Sequence, residues 1–133
     1  MSSFLFQSGT ERGDIQTSFG KYDINWNGYN WTSAHLFCQL SGGHLATFET
    51  QEEFNAINFT HYTTNAFWIG LSDIFTEGQY IWNYTGQAPS YSAWDNYKPT
   101  LSTGYDCVTV YGRTNKWGNW PCSYSIDSVC EYP

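Results

Sequence analysis

Residues 96–107 read NYKPTLSTGYDC and gather unlike chemistries around one proline. Asn96 brings an amide, Tyr97 and Tyr105 phenols, Lys98 an ammonium and Thr100 a hydroxyl, with Asn119 and Trp120 a little further along. Aromatic faces stack on the C–H surfaces of sugars while amides and hydroxyls bond the polar rim. Tyr91, Trp94 and Trp117 add rings to the same region. Tyr, Trp and Arg also dominate protein interfaces, so the segment suits a glycan or an extracellular protein. Catalysis has no comparable support. His35, His44 and His61 fall in no nucleophile–base–orienter arrangement, and neither a phosphate-cradling glycine loop nor an HExxH motif is present. The sequence therefore predicts a protein that is not an enzyme.

Composition narrows the partners further. The chain has 133 residues, a size for one domain, and its net charge is −7 with only five Lys or Arg. Nucleic acid needs a basic footprint, and an anionic membrane surface needs the same, so neither is expected as a partner. No apolar run is long enough to span a bilayer. The opening MSSFLFQSGTERGD has an apolar cluster too short for a signal-peptide core, so a secretory signal, if the gene encodes one, is expected to have been trimmed. A secreted or extracellular setting is nevertheless expected. Asn30-Trp31-Thr32, Asn58-Phe59-Thr60 and Asn83-Tyr84-Thr85 are N-glycosylation sequons. Cys38, Cys107, Cys122 and Cys130 form an even set without CxxC spacing, which fits two disulfides in an oxidising compartment. Four cysteines allow three pairings.

The elements that must position these residues can be read in outline. FLFQSGTERGDIQTSFGKYDI has β-prone stretches on either side of Gly9–Asp14 and predicts a hairpin or strand within residues 1–24. Asn30 can cap a helix whose Trp31, Ala34, Phe37 and Cys38 share one face, ended by Ser41-Gly42-Gly43. HLATF (44–48) predicts a short strand, and Thr50 with Glu53 forms a capping box for a second helix that turns Phe54 and Ile57 inward. FWIGL (67–71), QYIWNY (79–84), CVTVYG (107–112) and SVCEY (128–132) predict strands. The segment between Trp82 and Cys107 has little periodicity, and so long an irregular loop in a small domain is usually functional. The class is α+β in a single domain over 1–133.

Taken together, Trp31-x-x-Ala34-x-x-x-Cys38, Gly43-His44-Leu45-Ala46, Trp68-Ile69-Gly70-Leu71, Trp94, Cys107, Trp117, Cys122 and Cys130-Glu131 resemble a C-type lectin-like domain from about residue 20 onward. The resemblance implies two helices, antiparallel sheets, a long-loop region over about 82–120, and disulfides Cys38–Cys130 and Cys107–Cys122. Each such bond typically contributes about 2–4 kcal/mol. It also assigns Trp31, Trp68, Ile69 and Leu71 to the core. Trp94 and Trp117 fall at core positions too, which leaves Tyr97, Tyr105 and Trp120 as the rings for a ligand.

The family's sugar site is built on a calcium ion, a hard cation that wants six to eight oxygens, several from carboxylates. The positions of this sequence that match its ligands hold Lys98, Thr100, Tyr105, Gly118 and Asn119, none of them a carboxylate. The resemblance therefore implies a lectin-like module whose primary calcium site is lost. Lys98 stands where a cation used to sit and is expected to bond Asp106, Asn119 or nearby carbonyls in its place. Asp73 and Glu77 in LSDIFTEGQ, with Asp106, match three acidic positions that some members use for an auxiliary calcium, while Leu101 lies near a fourth. Apart from that calcium no cofactor is expected. The expected function is calcium-independent carbohydrate binding through the long-loop face, at Asn96, Tyr97, Lys98, Thr100, Tyr105, Asn119 and Trp120. The alternative is protein binding, or homo- or heterodimerisation, without sugar.

Overall fold

The computed structural model describes residues 13–62 and 65–133. The elements are strands β1 (Ile15–Gln16) and β2 (Lys21–Tyr29), helix α1 (Trp31–Leu40), β3 (His44–Leu45), helix α2 (Gln51–Asn55) and a 3-10 turn at Phe59–His61. Strands β4 (Ala66–Ser72), β5 (Ile81–Trp82), β6 (Cys107–Tyr111), β7 (Lys116–Trp120) and β8 (Ile126–Tyr132) follow. One sheet runs β1-β2-β8-β4-β6-β7, with β3 on β8 and β5 on β4. Among the strand pairs of the described residues only β4–β8 is parallel. This is the α+β arrangement that the sequence implies.

Local chemistry sets the helix ends. Asn30 Oδ1 accepts from the Ser33 amide at 2.8 Å, one of the donors a helix start leaves free. The amides of Ser41 and Gly43 return to the Cys38 carbonyl and close the other end. Thr50 Oγ1 takes the Glu53 amide and opens α2, although the helix ends at Asn55 and the buried Ile57 lies beyond it. The α1 face that carries Trp31, Ala34 and Cys38 is buried against Leu45, Trp68 and Cys130. On the other side of the sheet Phe48, Phe54, Phe59, Phe67, Trp82 and Trp117 pack with tilted and edge-on rings.

The disulfides are Cys38–Cys130, joining α1 to β8, and Cys107–Cys122, joining the start of β6 to the chain after β7. Two indoles lock β4 in place. Trp68 Nε1 donates to the Tyr29 carbonyl and Trp31 Nε1 to the Ile69 carbonyl, both at 3.0 Å. Gly70 between them admits no side chain, because a Cβ would lie 2.9 Å from the Leu45 carbonyl oxygen.

Several elements differ from the sequence reading. The expected turn at Gly9–Asp14 and the strand before it lie mostly outside the described residues. Within them the hairpin joins β1 to β2 through Thr17–Gly20, where Thr17 Oγ1 accepts the Phe19 and Gly20 amides. HLATF contributes only His44–Leu45 to the ladder, since the Thr47 amide turns to the Glu131 carboxylate. QYIWNY shrinks to Ile81–Trp82, because the Asn83 amide crosses to Gly70 and Gly86 closes a turn onto Trp82. KWGNW was not expected as a strand, yet β6 pairs with all five of its residues. Its glycine, a weak strand former, is there for clearance: a Cβ on Gly118 would run into the Tyr111 hydroxyl.

Candidate functional site

The long loop hangs on the outer edge of β7. Trp117 donates its amide to the Ala93 carbonyl and accepts from the Asp95 amide, so the backbone at Trp94 caps a strand that would otherwise expose its polar groups. The Tyr91 hydroxyl reaches the Phe48 carbonyl at 2.8 Å, and the Tyr80 ring meets Trp94 edge-on. Trp117 is buried and Trp94 half-buried, as their core assignment requires.

Asn119 is the pin. Its side chain is fully buried, with Oδ1 accepting the Thr100 amide at 2.7 Å. Its Nδ2 faces the carbonyls of Thr100 (2.8 Å) and Tyr105 (2.9 Å) and the Tyr80 hydroxyl (3.2 Å). Two points of the loop and one of the neighbouring turn are thus held by a single amide. Burial, followed by the nearby Asp73 charge, pushes the Tyr80 hydroxyl up to about 12, so it stays protonated there.

The residues expected at the primary cation position come together, with bonds other than those expected of Lys98. Its ammonium donates to Thr100 Oγ1 at 3.1 Å and lies over the Trp120 ring, 4.5 Å from the centroid. It bonds neither Asp106 nor Asn119; the Asn119 amide is taken up by loop backbone and the Tyr80 hydroxyl. Desolvation lowers the Lys98 pKa, while Asp95 opposes the shift. Trp120 also donates Nε1 to Thr109 Oγ1 and meets the Tyr111 ring edge-on, so much of its surface is covered. Lys98-Pro99 is a cis peptide. Asn96 is exposed, and Tyr97 is 99% exposed at a φ of 64°, a left-handed conformation unusual for a tyrosine. Tyr105 is half-buried and is held through its backbone carbonyl.

A primary calcium does not fit this arrangement. The matching side chains offer no carboxylate, one is an ammonium, and the buried amide is already bonded.

The three acids are a different case. Asp73, Glu77 and Asp106 each offer a carboxylate oxygen within 4.8 Å of the others. Asp73 is 2% exposed; its Oδ2 accepts the Gly78 amide and its own amide donates to the Asp106 carbonyl. Asp73 Oδ1 and Asp106 Oδ1 are buried without a hydrogen-bond partner among the described residues. Desolvation first, then repulsion within the cluster, raises the pKa of both Glu77 and Asp106. Orphaned buried carboxylate oxygens are costly, and a bound cation would satisfy them. This donor set fits a hard cation.

One neighbour was not foreseen in the sequence. A cavity of about 250 Å³ adjoins the loop, lined by Asp95, Asn96, Lys98, Tyr111, Arg113 and Thr114. Only the scarcity of cations in the chain could have drawn attention to Arg113.

A family model described as "Lectin C-type domain" matches residues 27–132, and the chain belongs to that family. It is 34% identical over 116 residues to Lectin BRA-3 of Megabalanus rosa, covering 84% of this chain and 67% of that one. It is 33% identical over 127 residues to mouse C-type lectin domain family 4 member E, covering 83% of this chain but 59% of the relative, so it spans less than two thirds of that protein. Among solved structures, the cow C-type carbohydrate-recognition domain of CD23, determined in the presence of GlcNAc2Man3 oligosaccharide, superposes with a TM-score of 0.78 at 27% identity, covering 88% of this chain and 90% of that one. The chain is a lectin-like recognition module, in a family of lectins and lectin-like binding proteins rather than enzymes. Among the described residues no helix is long and apolar enough to cross a membrane.

Proposed function

We propose that this domain binds carbohydrate outside the cell through the long-loop face, without a calcium at the family's primary position. One observation carries the reading. The residues at that position satisfy one another, with Lys98 on Thr100 and Trp120 and Asn119 on the loop backbone. Exposed Asn96 and Tyr97 beside them supply an amide and a free aromatic face of the kind sugars use. The test is binding to immobilised glycans with and without EDTA. Retention that survives the chelator is expected; retention abolished by it overturns the reading.

The acidic cluster has a separate role in this proposal. Asp73, Glu77 and Asp106 hold an auxiliary calcium that steadies the loop rather than touching the sugar. Saturating calcium should then raise the melting temperature at pH 7.5, by the equivalent of about 3 kcal/mol at a hundredfold excess over Kd. Asp73→Asn should abolish that rise. Raised pKa values at Glu77 and Asp106 mean that protons compete with the ion, so the rise should shrink as pH falls. A melting temperature indifferent to calcium overturns this part.

Protein recognition is the second reading. Phe75 (78% exposed) and Leu101 (88%) add apolar surface in the flanking turn and the loop. Glycan arrays that stay silent, together with a purified protein partner whose binding is lost in Phe75→Ser, would favour it.

A further inference from the structure

We infer that the ligand is an anionic saccharide, whose sulfate or carboxylate seats between Lys98 and Arg113 in the cavity beside the loop. This rests on the carbohydrate reading and adds the charge of the sugar. The chain has five Lys or Arg against twelve Asp or Glu, yet two of those five line one cavity of about 250 Å³. Among the described residues neither cation forms an ion pair. Lys98 has only a hydroxyl and a ring as partners, and Arg113 is exposed. One carboxylate, Asp95, lines the same space. Its Oδ1 accepts the Asn96 amide and its Oδ2 the Thr114 hydroxyl, so both oxygens are occupied within its own turn.

Two cations against one tied carboxylate leave a net positive seat on a strongly acidic protein. A guanidinium fork suits the planar or tetrahedral oxygens of carboxylate and sulfate, and the ammonium adds a point charge. The volume falls below the range of about 300–1,000 Å³ common for whole ligand sites, so it suits a charged substituent or one sugar ring. Asn96, shared with the exposed Tyr97 turn, places the rest of the saccharide against that ring. Asp95 also gives selectivity, since it disfavours dense polyanions more than a single acidic group.

The experiment is NMR titration of the full chain in EDTA with glucose 6-sulfate, glucuronic acid, glucose and sodium sulfate. The two acidic sugars are expected to shift resonances of Arg113 and Asn96 and to bind at least about tenfold more tightly than glucose, the scale of one charge-assisted hydrogen bond. Arg113→Gln should remove that preference, bringing the acidic sugars to the affinity of glucose. Lys98→Gln should weaken the acidic sugars similarly, and because Arg113 is exposed the first variant tests the idea even if the second disturbs the loop. Equal binding of glucose and its sulfate overturns the inference and leaves carbohydrate recognition standing. Binding of inorganic sulfate alone, with no sugar bound, overturns both.

Discussion

The body around α1, β2, β4 and β8 and the segment from Asn83 to Asp106 are held by different kinds of interaction. In the body, buried rings, a disulfide and an extended strand ladder all act at once, so each residue has several independent reasons to stay put. In the loop, order depends on a few polar contacts, chiefly the Asn119 amide and the backbone paired with Trp117 at β7, and the Tyr91 hydroxyl on the Phe48 carbonyl. Redundancy fixes the first region, and single contacts fix the second. A lectin-like fold can therefore change its site by altering a handful of polar side chains while its core stays as it is.

Three substitutions probe that contrast. The largest effect is expected in the body, at Glu131, whose carboxyl accepts the Thr47 amide. Burial, then Glu53 and Glu49 nearby, pushes its pKa up from 4.5 to about 7. A carboxyl raised in the folded state holds its proton more tightly there than in the unfolded chain. Stability is thus highest below pH 4.5 as far as this group is concerned and falls as pH rises towards 7. Glu131→Gln keeps the acceptor without the charge. It should stabilise the fold at pH 8 by up to about 3 kcal/mol and do nothing at pH 4, as measured by chemical denaturation. Equal effects at both pH values would remove Glu131 as the source of the penalty.

Asn119→Leu comes next. It fills similar space but releases both loop carbonyls and the Thr100 amide, at a cost of about 2 kcal/mol. Hydrogen exchange should accelerate over Thr100–Tyr105 while β2, β4 and β8 remain protected. Acceleration spread evenly through the sheet would erase the distinction between the two regions. Tyr97→Gly should change stability least, within about 1 kcal/mol, because glycine accepts a positive φ without strain. Glycan retention should still be lost. Unaltered retention would take Tyr97 out of the site.

The same contrast explains what was legible in the sequence. Trp31, Trp68, Ile69 and Leu71 announced the core, because each is large, apolar and part of a local pattern that packing then obeys. Asn30 and Thr50 announced helix starts, since a cap depends on neighbours only three residues away. The loop was legible by type and not by contact. Lys98 and Thr100 could be matched to lost calcium ligands, but Trp120 beneath the ammonium depends on how β6 pairs with β7. Asn119 read as a ligand-binding amide at a lost calcium position, because nothing within five residues hints at the four loop and turn groups it binds. Arg113 and Asp95, eighteen positions apart, share a cavity only because the outer edge of β7 pairs with the backbone at Trp94.

The place of β8 has a consequence for how the chain is made. Its residues, Ile126–Tyr132, lie between β2 and β4 and also pair with β3, so the middle of the sheet is supplied by a strand synthesised after all its neighbours. At ribosomal speeds of about 5–20 residues per second, β2 and α1 emerge several seconds before their central neighbour exists. During that interval the two edges that will flank β8 are open, and Cys38 waits for a partner ninety-two positions away. A nascent chain that stalls before Ile126 thus holds β1–β2 and β4–β7 as two pieces, each with an open edge where β8 belongs, rather than a smaller version of the domain.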